Sequence, residues 1–243
     1  MENILTCPVH SFETLGTVDG PGIRFVIFTQ GCNLKCKYCQ NRDTWNCNGG
    51  TEYTVEEIVK KINKYKNYLK ISGGGITISG GEPLLHIDFL IELFMELKSL
   101  GYNTAIDTSG SIPLSSSLKK LIELTDLFLL DIKCINDEVC KKLTGVSNKN
   151  ELEFARYLSE NGKHIWLRQV LVPGYTDNEK DLEDLKKFIL KLNNIDKIEI
   201  LPYHTIGKYK WKKCCDEYCL NDVREANLND INRAKKILNI EGW

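Results

Sequence analysis

Apolar residues along the chain fall into two alternating kinds of segment. Short, nearly unbroken apolar runs bounded by Gly, Pro, Asn or Asp have the pattern of strands buried on both faces. They cover Arg24 to Gln30, Gly75 to Ser79, Tyr102 to Thr108, Leu127 to Asp131, His164 to Val172 and Lys197 to Pro202. Between them, apolar positions recur three or four residues apart. This spacing predicts helices over Val55 to Leu69, Ile87 to Leu100, Leu114 to Leu124, Glu151 to Asn161 and Asp181 to Leu192. Thr54, with Glu57 three residues on, is a capping-box signature for the first helix, and Gly101 and Gly162 stand just past the second and fourth. Strand-helix alternation of this kind implies an α/β fold with a largely parallel sheet. A closed barrel of eight such units takes about 250 residues. The six units of this 243-residue chain therefore predict an incomplete, open (β/α)6 barrel. No linker, repeat or low-complexity block divides the sequence, so a single domain over residues 1–243 is expected, with loops at Asn46 to Gly50 and Ser72 to Gly75.

In parallel sheets ligands collect at the carboxyl ends of the strands. Here those ends hold unusual residues. Gln30-Gly31-Cys32 follows the first strand, Gly80-Gly81-Glu82-Pro83 the second, and Asp107-Thr108-Ser109-Gly110 ends the third. Asp131 and Lys133 end the fourth, Arg168 lies in the fifth, and Tyr203-His204 closes the sixth.

Composition narrows the possible chemistry. The 32 Lys and Arg against 33 Asp and Glu leave a formal charge of -1, so no global field attracts nucleic acid or an anionic membrane. No apolar run approaches the roughly 20 residues of a membrane span, and the first residues lack a secretory pattern, so a cytoplasmic location is expected. Ten cysteines in a reducing compartment point to metal binding, catalysis or burial rather than to disulfides. Three of them, Cys32, Cys36 and Cys39, sit within eight residues. Thiolates are the usual ligands of iron-sulfur clusters, and a cubane normally takes four. Three would leave one iron open to a small molecule, whereas Cys47 could close the site and make it an inert carrier or a zinc knot. Cys7, Cys47, Cys134 and Cys140 are expected to be small buried residues, and Cys214, Cys215 and Cys219 form a late cluster of unassigned role.

The Cys32-x3-Cys36-x2-Cys39 spacing, with Tyr38 before the last cysteine, resembles the cluster motif of the radical S-adenosylmethionine (SAM) superfamily. Within it the chain resembles the pyruvate formate-lyase activating enzymes along nearly its whole length. The resemblance is carried by Ser11-Phe12-Glu13-Thr14 through Asp19-Gly20-Pro21-Gly22-Ile23-Arg24, by Gln30-Gly31-Cys32 through Asn41-Arg42-Asp43-Thr44-Trp45, and by Ser79-Gly80-Gly81-Glu82-Pro83. Leu130-Asp131-Ile132-Lys133, Leu201-Pro202-Tyr203-His204, Gly207-Lys208 and Lys210-Trp211 extend it.

The resemblance implies an incomplete (β/α)6 radical SAM barrel in which Cys32, Cys36 and Cys39 hold a 4Fe-4S cluster and SAM chelates the open iron. Reductive cleavage of SAM would give methionine and a 5'-deoxyadenosyl radical, which takes the alpha hydrogen of one glycine in pyruvate formate-lyase. Carried over by position, Tyr38, Cys39 and Gln40 lie near the adenine, and Gly80, Gly81 and Glu82 receive the methionine amino group. Asp131, Ile132, Lys133, Arg168 and His204 line the rest of SAM. Asp107, Thr108, Asp131 and the Leu129 carbonyl match a monovalent cation site, and Asp19 to Gly22 match the segment facing the incoming glycine loop. The implied partners are pyruvate formate-lyase and a flavodoxin or ferredoxin-type reductant, with the enzyme itself a monomer. Many relatives carry His where this chain has Gln40, which cannot titrate.

Ordinary structural roles compete at several of these positions. Asp131 and Lys133 could be a strand-end ion pair, Gly80 to Pro83 a turn, Arg168 and His204 structural polar groups, and Asp107 a strand-end hydrogen-bonding group. The Lys208 to Lys213 run, with Tyr209 and Trp211 interleaved, could dock an acidic electron donor or be a solvated face with an aromatic anchor. Two rival functions stand beside the main one. The first is activation of another glycyl radical enzyme, some of whose activases carry a cysteine-rich insert after the cluster motif, where this chain has only Cys47. The second is a plain electron carrier or structural metal module, for which a fourth protein ligand would be the mark.

Overall fold

The computed structural model describes residues 4–240. In chain order the strands are β1 (Thr6–Gly16), β2 (Arg24–Thr29), β3 (Thr51–Thr54), β4 (Gly75–Gly80), β5 (Asn103–Thr108), β6 (Leu127–Asp131), β7 (His164–Leu171) and β8 (Ile195–Pro202). The helices are α1 (Val55–Asn63), α2 (Lys66–Ile71), α3 (Ile87–Ser99), α4 (Ser116–Leu124), α5 (Asp137–Thr144), α6 (Lys149–Glu160), α7 (Glu179–Ile189), α8 (Lys208–Lys213) and α9 (Leu228–Leu238). All six expected strands are present to within two residues at either end, and the fourth, β6, matches at both ends.

The chain divides into two compact units. The first runs up to Asn33 and includes Thr44–Thr108 and Ile112–Leu129; the second comprises Leu34–Asp43, Ser109–Ser111 and the chain from Leu130 onward. In the first unit the strand order is β3-β1-β2-β4-β5-β6. The β2-β4 and β4-β5 pairs are parallel, and β1 runs antiparallel to both β2 and β3. In the second unit the last residues of β6 are followed in the sheet by β7 and β8, the latter two parallel.

The parallel strands follow from their composition. Phe25, Val26, Ile27, Ile76, Ile78, Leu129 and Leu130 are all essentially inaccessible, as strands covered on both faces require. The buried members also include polar and charged residues, the largest of them Arg24. Arg24 donates from Nε to Thr77 Oγ1 at 2.9 Å, from Nη1 to Asn103 Oδ1 at 2.8 Å and from Nη2 to the Ile76 carbonyl at 2.6 Å. Burial pulls its pKa down to about 10, against the opposing pull of Asp126 and Asp19.

The structure departs from the sequence reading in several places. β1 and β3 lie in stretches left outside the six units. Pro8 and the polar residues His10, Ser11, Glu13 and Thr14 disguise β1, whose side chains alternate between covered and exposed because it is an antiparallel strand with one open face. The helix expected over Val55 to Leu69 is two helices. Its capping box forms, with Thr54 N donating to Glu57 Oε2 at 2.9 Å and Glu57 N to Thr54 Oγ1 at 3.2 Å. The break at Lys64 and Tyr65 places the Tyr65 ring 5.7 Å from that of Phe25, and Asn63 Oδ1 takes the Tyr102 hydroxyl at 2.7 Å. The short helices α5 and α8, and α9 with its thin buried stripe of Ala234 and Leu238, gave no clear period. No helix among the described residues is long and apolar enough to cross a membrane.

Candidate active site

In the first unit, β2 runs out into Gln30-Gly31-Cys32, and main-chain bonds fix the path. Gln30 N donates to the Pro8 carbonyl at 2.8 Å, Gly31 N to the Thr44 carbonyl at 2.7 Å, and His86 Nε2 to the Gln30 carbonyl at 2.7 Å. β4 ends alongside it. Gly81 N donates to the Thr29 carbonyl at 3.1 Å and Glu82 N to the Gly31 carbonyl at 2.8 Å. A Cβ at Gly81 would stand 2.0 Å from the Gly31 carbonyl oxygen, so only glycine lets these two strand ends lie together. Gly80 and Gly81 thus have a packing role whatever they bind.

Glu82 is buried, and its carboxylate accepts from Leu84 N at 3.2 Å and from the Thr108 hydroxyl, capping the 3-10 turn over Pro83–His86. Asp107 accepts from Ser79 Oγ at 2.8 Å, and Leu129 is fully buried in β6. The Asp107 carboxylate and the Thr108 hydroxyl, expected to hold a cation, are thus each engaged in a hydrogen bond.

In the second unit, the loop carrying Cys36 and Cys39 is tied at each end. Lys35 N and Lys37 N donate to the carbonyls of Thr144 and Leu143 at 2.7 and 2.8 Å, fixing the loop to the end of α5. Cys39 N closes a turn onto the Cys36 carbonyl at 3.0 Å, and Asn41 N points at Cys39 Sγ at 3.3 Å. Gln40 joins the loop to the segment after β8: its Oε1 accepts from Gly207 N at 2.5 Å, and its Nε2 donates to the His204 carbonyl at 2.9 Å. The indole of Trp211 donates to the Cys39 carbonyl at 3.0 Å. Trp211 is buried beneath this loop and edge-on to Tyr218, in the manner of an aromatic anchor under a solvated face.

Asp131, at the end of β6, accepts from Lys133 Nζ at 2.7 Å and from Arg168 Nε at 3.1 Å. Burial opposes ionisation of Asp131, but the two cations outweigh it and hold the carboxyl below its usual range. Burial likewise disfavours the Lys133 ammonium, and Asp131 more than reverses the effect, leaving Lys133 well above its ordinary value. Ile132 is buried between them in sequence, its N–H donating to the Arg168 carbonyl at 2.8 Å. Glu151, which sequence reasoning passed over, accepts from Lys133 N at 2.8 Å while itself buried. The strand-end ion pair is therefore real, and Arg168 extends it to a triad.

Among the described residues, the buried polar atoms without a hydrogen-bond partner include the Tyr38 hydroxyl and Nδ1 of His204. Each such atom costs about 1–3 kcal/mol unless something polar reaches it. Burial pushes the Tyr38 phenol well above its normal pKa, so it is a neutral donor.

Among the described residues, which include all ten cysteines, none forms a disulfide. Among the described residues no three His, Cys, Asp or Glu side chains converge on one metal ion. A cubane does not require that, because each of its thiolates binds a separate iron. The donors present fit such a cluster. An amide is aimed at one sulfur in the manner that tunes cluster potentials, and the neighbouring Tyr38 hydroxyl lacks a partner.

Cys7, Cys134 and Cys140 are buried as expected, and burial lifts their pKa values to about 12, making them inert. Cys47 is not buried. It lies exposed in the loop after Thr44, its sulfur beside Gly31, because the loop turns back toward the end of β2. Cys214 is half-buried, and Cys215 and Cys219 are exposed.

A family model described as the Radical SAM superfamily matches residues 26–189. The pyruvate formate-lyase 1-activating enzyme of Escherichia coli strain K12 is 45% identical over 231 residues, covering 95% of this chain and 94% of that protein. The pyruvate formate-lyase-activating enzyme of Staphylococcus epidermidis is 47% identical over 240 residues, 96% of each. Among solved structures, a domain of a pyruvate-formate lyase-activating enzyme from Bacteroides vulgatus aligns with a TM-score of 0.58 at 24% identity, over 68% of this chain and 93% of that one. This last likeness speaks to the fold alone.

Proposed function

Because the chain belongs to the pyruvate formate-lyase activating enzymes of the radical SAM superfamily, with the incomplete (β/α)6 barrel of that class, we propose that it installs the glycyl radical of pyruvate formate-lyase. The observation that carries this reading is the identity of 45–47% with activating enzymes over nearly the full length of both chains. The family implies a 4Fe-4S cluster and SAM, which together supply, when bound, the one-electron cleavage that releases methionine and a 5'-deoxyadenosyl radical.

The protein's part is to hold and orient. Cys32, Cys36 and Cys39 would ligate the cluster, with the Asn41 amide on Cys39 Sγ raising its potential by hydrogen bonding. Gly80, Gly81 and Glu82 would receive the methionine amino group. The triad of Asp131, Lys133 and Arg168, with Ile132 between, presents both signs of charge for the methionine carboxylate and ribose hydroxyls. The unpartnered Tyr38 hydroxyl and His204 Nδ1 would take polar atoms of the adenosine, and Gln40 keeps the segment bearing His204 tied to the cysteine loop. A monovalent cation at Asp107, Thr108, Leu129 and Asp131, a flavodoxin or ferredoxin-type reductant, a cytoplasmic location and a monomeric state complete the reading. It favours pyruvate formate-lyase over other glycyl radical enzymes because the relatives at 45–47% identity named above are activating enzymes of pyruvate formate-lyase.

Single Cys→Ala variants at positions 32, 36, 39 and 47, reconstituted anaerobically, test the open iron. Iron and sulfide content and SAM cleavage should collapse for the first three and persist for Cys47→Ala. If Cys47→Ala also loses the cluster, four protein ligands close it, and the electron-carrier reading replaces this one.

A further inference from the structure

Turnover in the proposed reaction consumes one electron per SAM, which must reach the Cys32–Cys39 loop from outside. Resting on that reading, we propose that α8 and the turn before it form the docking surface for an acidic one-electron protein carrier, linked to the cluster loop through Trp211.

Three observations place the surface. The first is charge. Lys208, Lys212 and Lys213 are exposed on α8, and none of them forms an ion pair among the described residues, whereas Lys210 on the same helix is held by Asp43 at 3.1 Å. Residues 206–219 contain four lysines against two carboxylates, Asp216 and Glu217, and Asp216 is taken by Arg42. The result is a local cationic excess on a chain whose overall charge is -1. Charge concentrated in this way steers an oppositely charged partner.

The second is apolar surface among those charges. Ile206 is 74% exposed and Tyr209 55%. The Lys213 ammonium lies 5.2 Å over the Tyr209 ring and that of Lys208 5.9 Å over the Tyr218 ring, so the lysines edge aromatic surface rather than extend freely. An apolar centre rimmed by one sign of charge suits a small, transient redox interface.

The third is connection. Trp211, on the inner side of α8, donates to the Cys39 carbonyl, and Lys210 Nζ reaches Asn41 Oδ1 at 3.0 Å. A carrier seated on α8 is thus one helix thickness and one hydrogen bond from a cluster ligand. In the transfer itself the carrier is oxidised by one electron and the oxidised cluster is reduced by one, with no bond made or broken in the protein.

The test uses flavodoxin as the acidic carrier and the triple variant Lys208→Glu, Lys212→Glu, Lys213→Glu in the full-length chain. Binding to immobilised flavodoxin is measured across ionic strengths, and deoxyadenosine formation is driven either by reduced flavodoxin or by dithionite, which needs no docking surface. The variant should bind flavodoxin at least about tenfold more weakly at low salt, with the gap closing as salt screens it. Its flavodoxin-driven rate should fall in step, while the dithionite-driven rate stays at the wild-type level. Unchanged flavodoxin binding overturns the proposal, as does an equal loss with both reductants, or a loss of affinity for pyruvate formate-lyase in place of flavodoxin. Failure of the wild type itself to cleave SAM with dithionite would refute the proposed function, while the binding measurement still decides the surface.

Discussion

Replacing Asp131 by Asn removes the one anion between two cations. Its side chain is 18% exposed, Lys133 14% and Arg168 11%, so the triad is largely withdrawn from water. Removing one partner of a buried pair costs about 3–5 kcal/mol, chiefly because the remaining charge is left uncompensated. The Asn carbonyl can still accept one of the two hydrogen bonds, and some solvent reaches the group, so a loss of about 2–3 kcal/mol is expected. With a urea m-value of about 2 kcal/mol/M this lowers the unfolding midpoint by roughly 1–1.5 M.

The pH dependence carries a sign. The folded-state pKa of Asp131 is depressed, so its contribution is fully present above the unfolded value of about 3.9 and is lost as pH falls through the folded value. Lys133 is shifted upward, so its contribution is present below its unfolded value of about 10.4 and disappears at higher pH. Urea titrations from neutral to acid pH should show a shallower loss of stability for Asp131→Asn than for wild type. Lys133→Met added to Asp131→Asn should cost less than Lys133→Met alone, by about 1 kcal/mol or more of coupling. A variant within about 0.5 kcal/mol of wild type with an unchanged acid limb would show that the triad does not stabilise this protein.

Trp211→Phe keeps the buried ring but loses the bond to the Cys39 carbonyl; urea unfolding should show a loss of about 1 kcal/mol, and the visible spectrum of the reconstituted cluster should change. Gly81→Ala drives a methyl to 2.0 Å from the Gly31 carbonyl oxygen, so the ends of β2 and β4 must part, and calorimetric titration should find SAM binding abolished. Thr54→Ala removes the capping box of α1 and should cost about 1 kcal/mol in thermal unfolding, with SAM cleavage untouched.

What could be read in advance followed the strength of local signals. β2 and β6 are apolar runs, β4 sets Ile76 and Ile78 between glycines, and Thr54 with Glu57 is a local motif, so these could be located from the sequence. β1 could not, because Pro8 argues against a strand and its pairing with β2 and β3 is a non-local fact. The break between α1 and α2 depends on where Phe25 and Tyr102 end up, which no window over residues 55–69 contains.

The site shows the same division. The residue types at the strand ends were legible, and the Asp131–Lys133 pair could be weighed from its spacing. Arg168 as the third member, Glu82 bonded to Thr108, and Gln40 bridging to His204 and Gly207 all join residues far apart in sequence. The docking and anchor readings of the lysine run could not be separated locally, because only the folded chain turns the Trp211 indole toward the cysteine loop. Cys47 was misplaced because a small thiol suggests a core, and nothing local shows its loop turning back toward Gly31 with the residue left exposed.

The central claim is tested most directly by electron paramagnetic resonance of pyruvate formate-lyase after anaerobic incubation with the reconstituted, reduced protein and SAM, with 5'-deoxyadenosine quantified in the same samples. A glycyl radical signal growing with deoxyadenosine is the expected result, and deoxyadenosine without that signal would move the target to another glycyl radical enzyme. Neither product from an intact, reduced cluster would contradict the assignment.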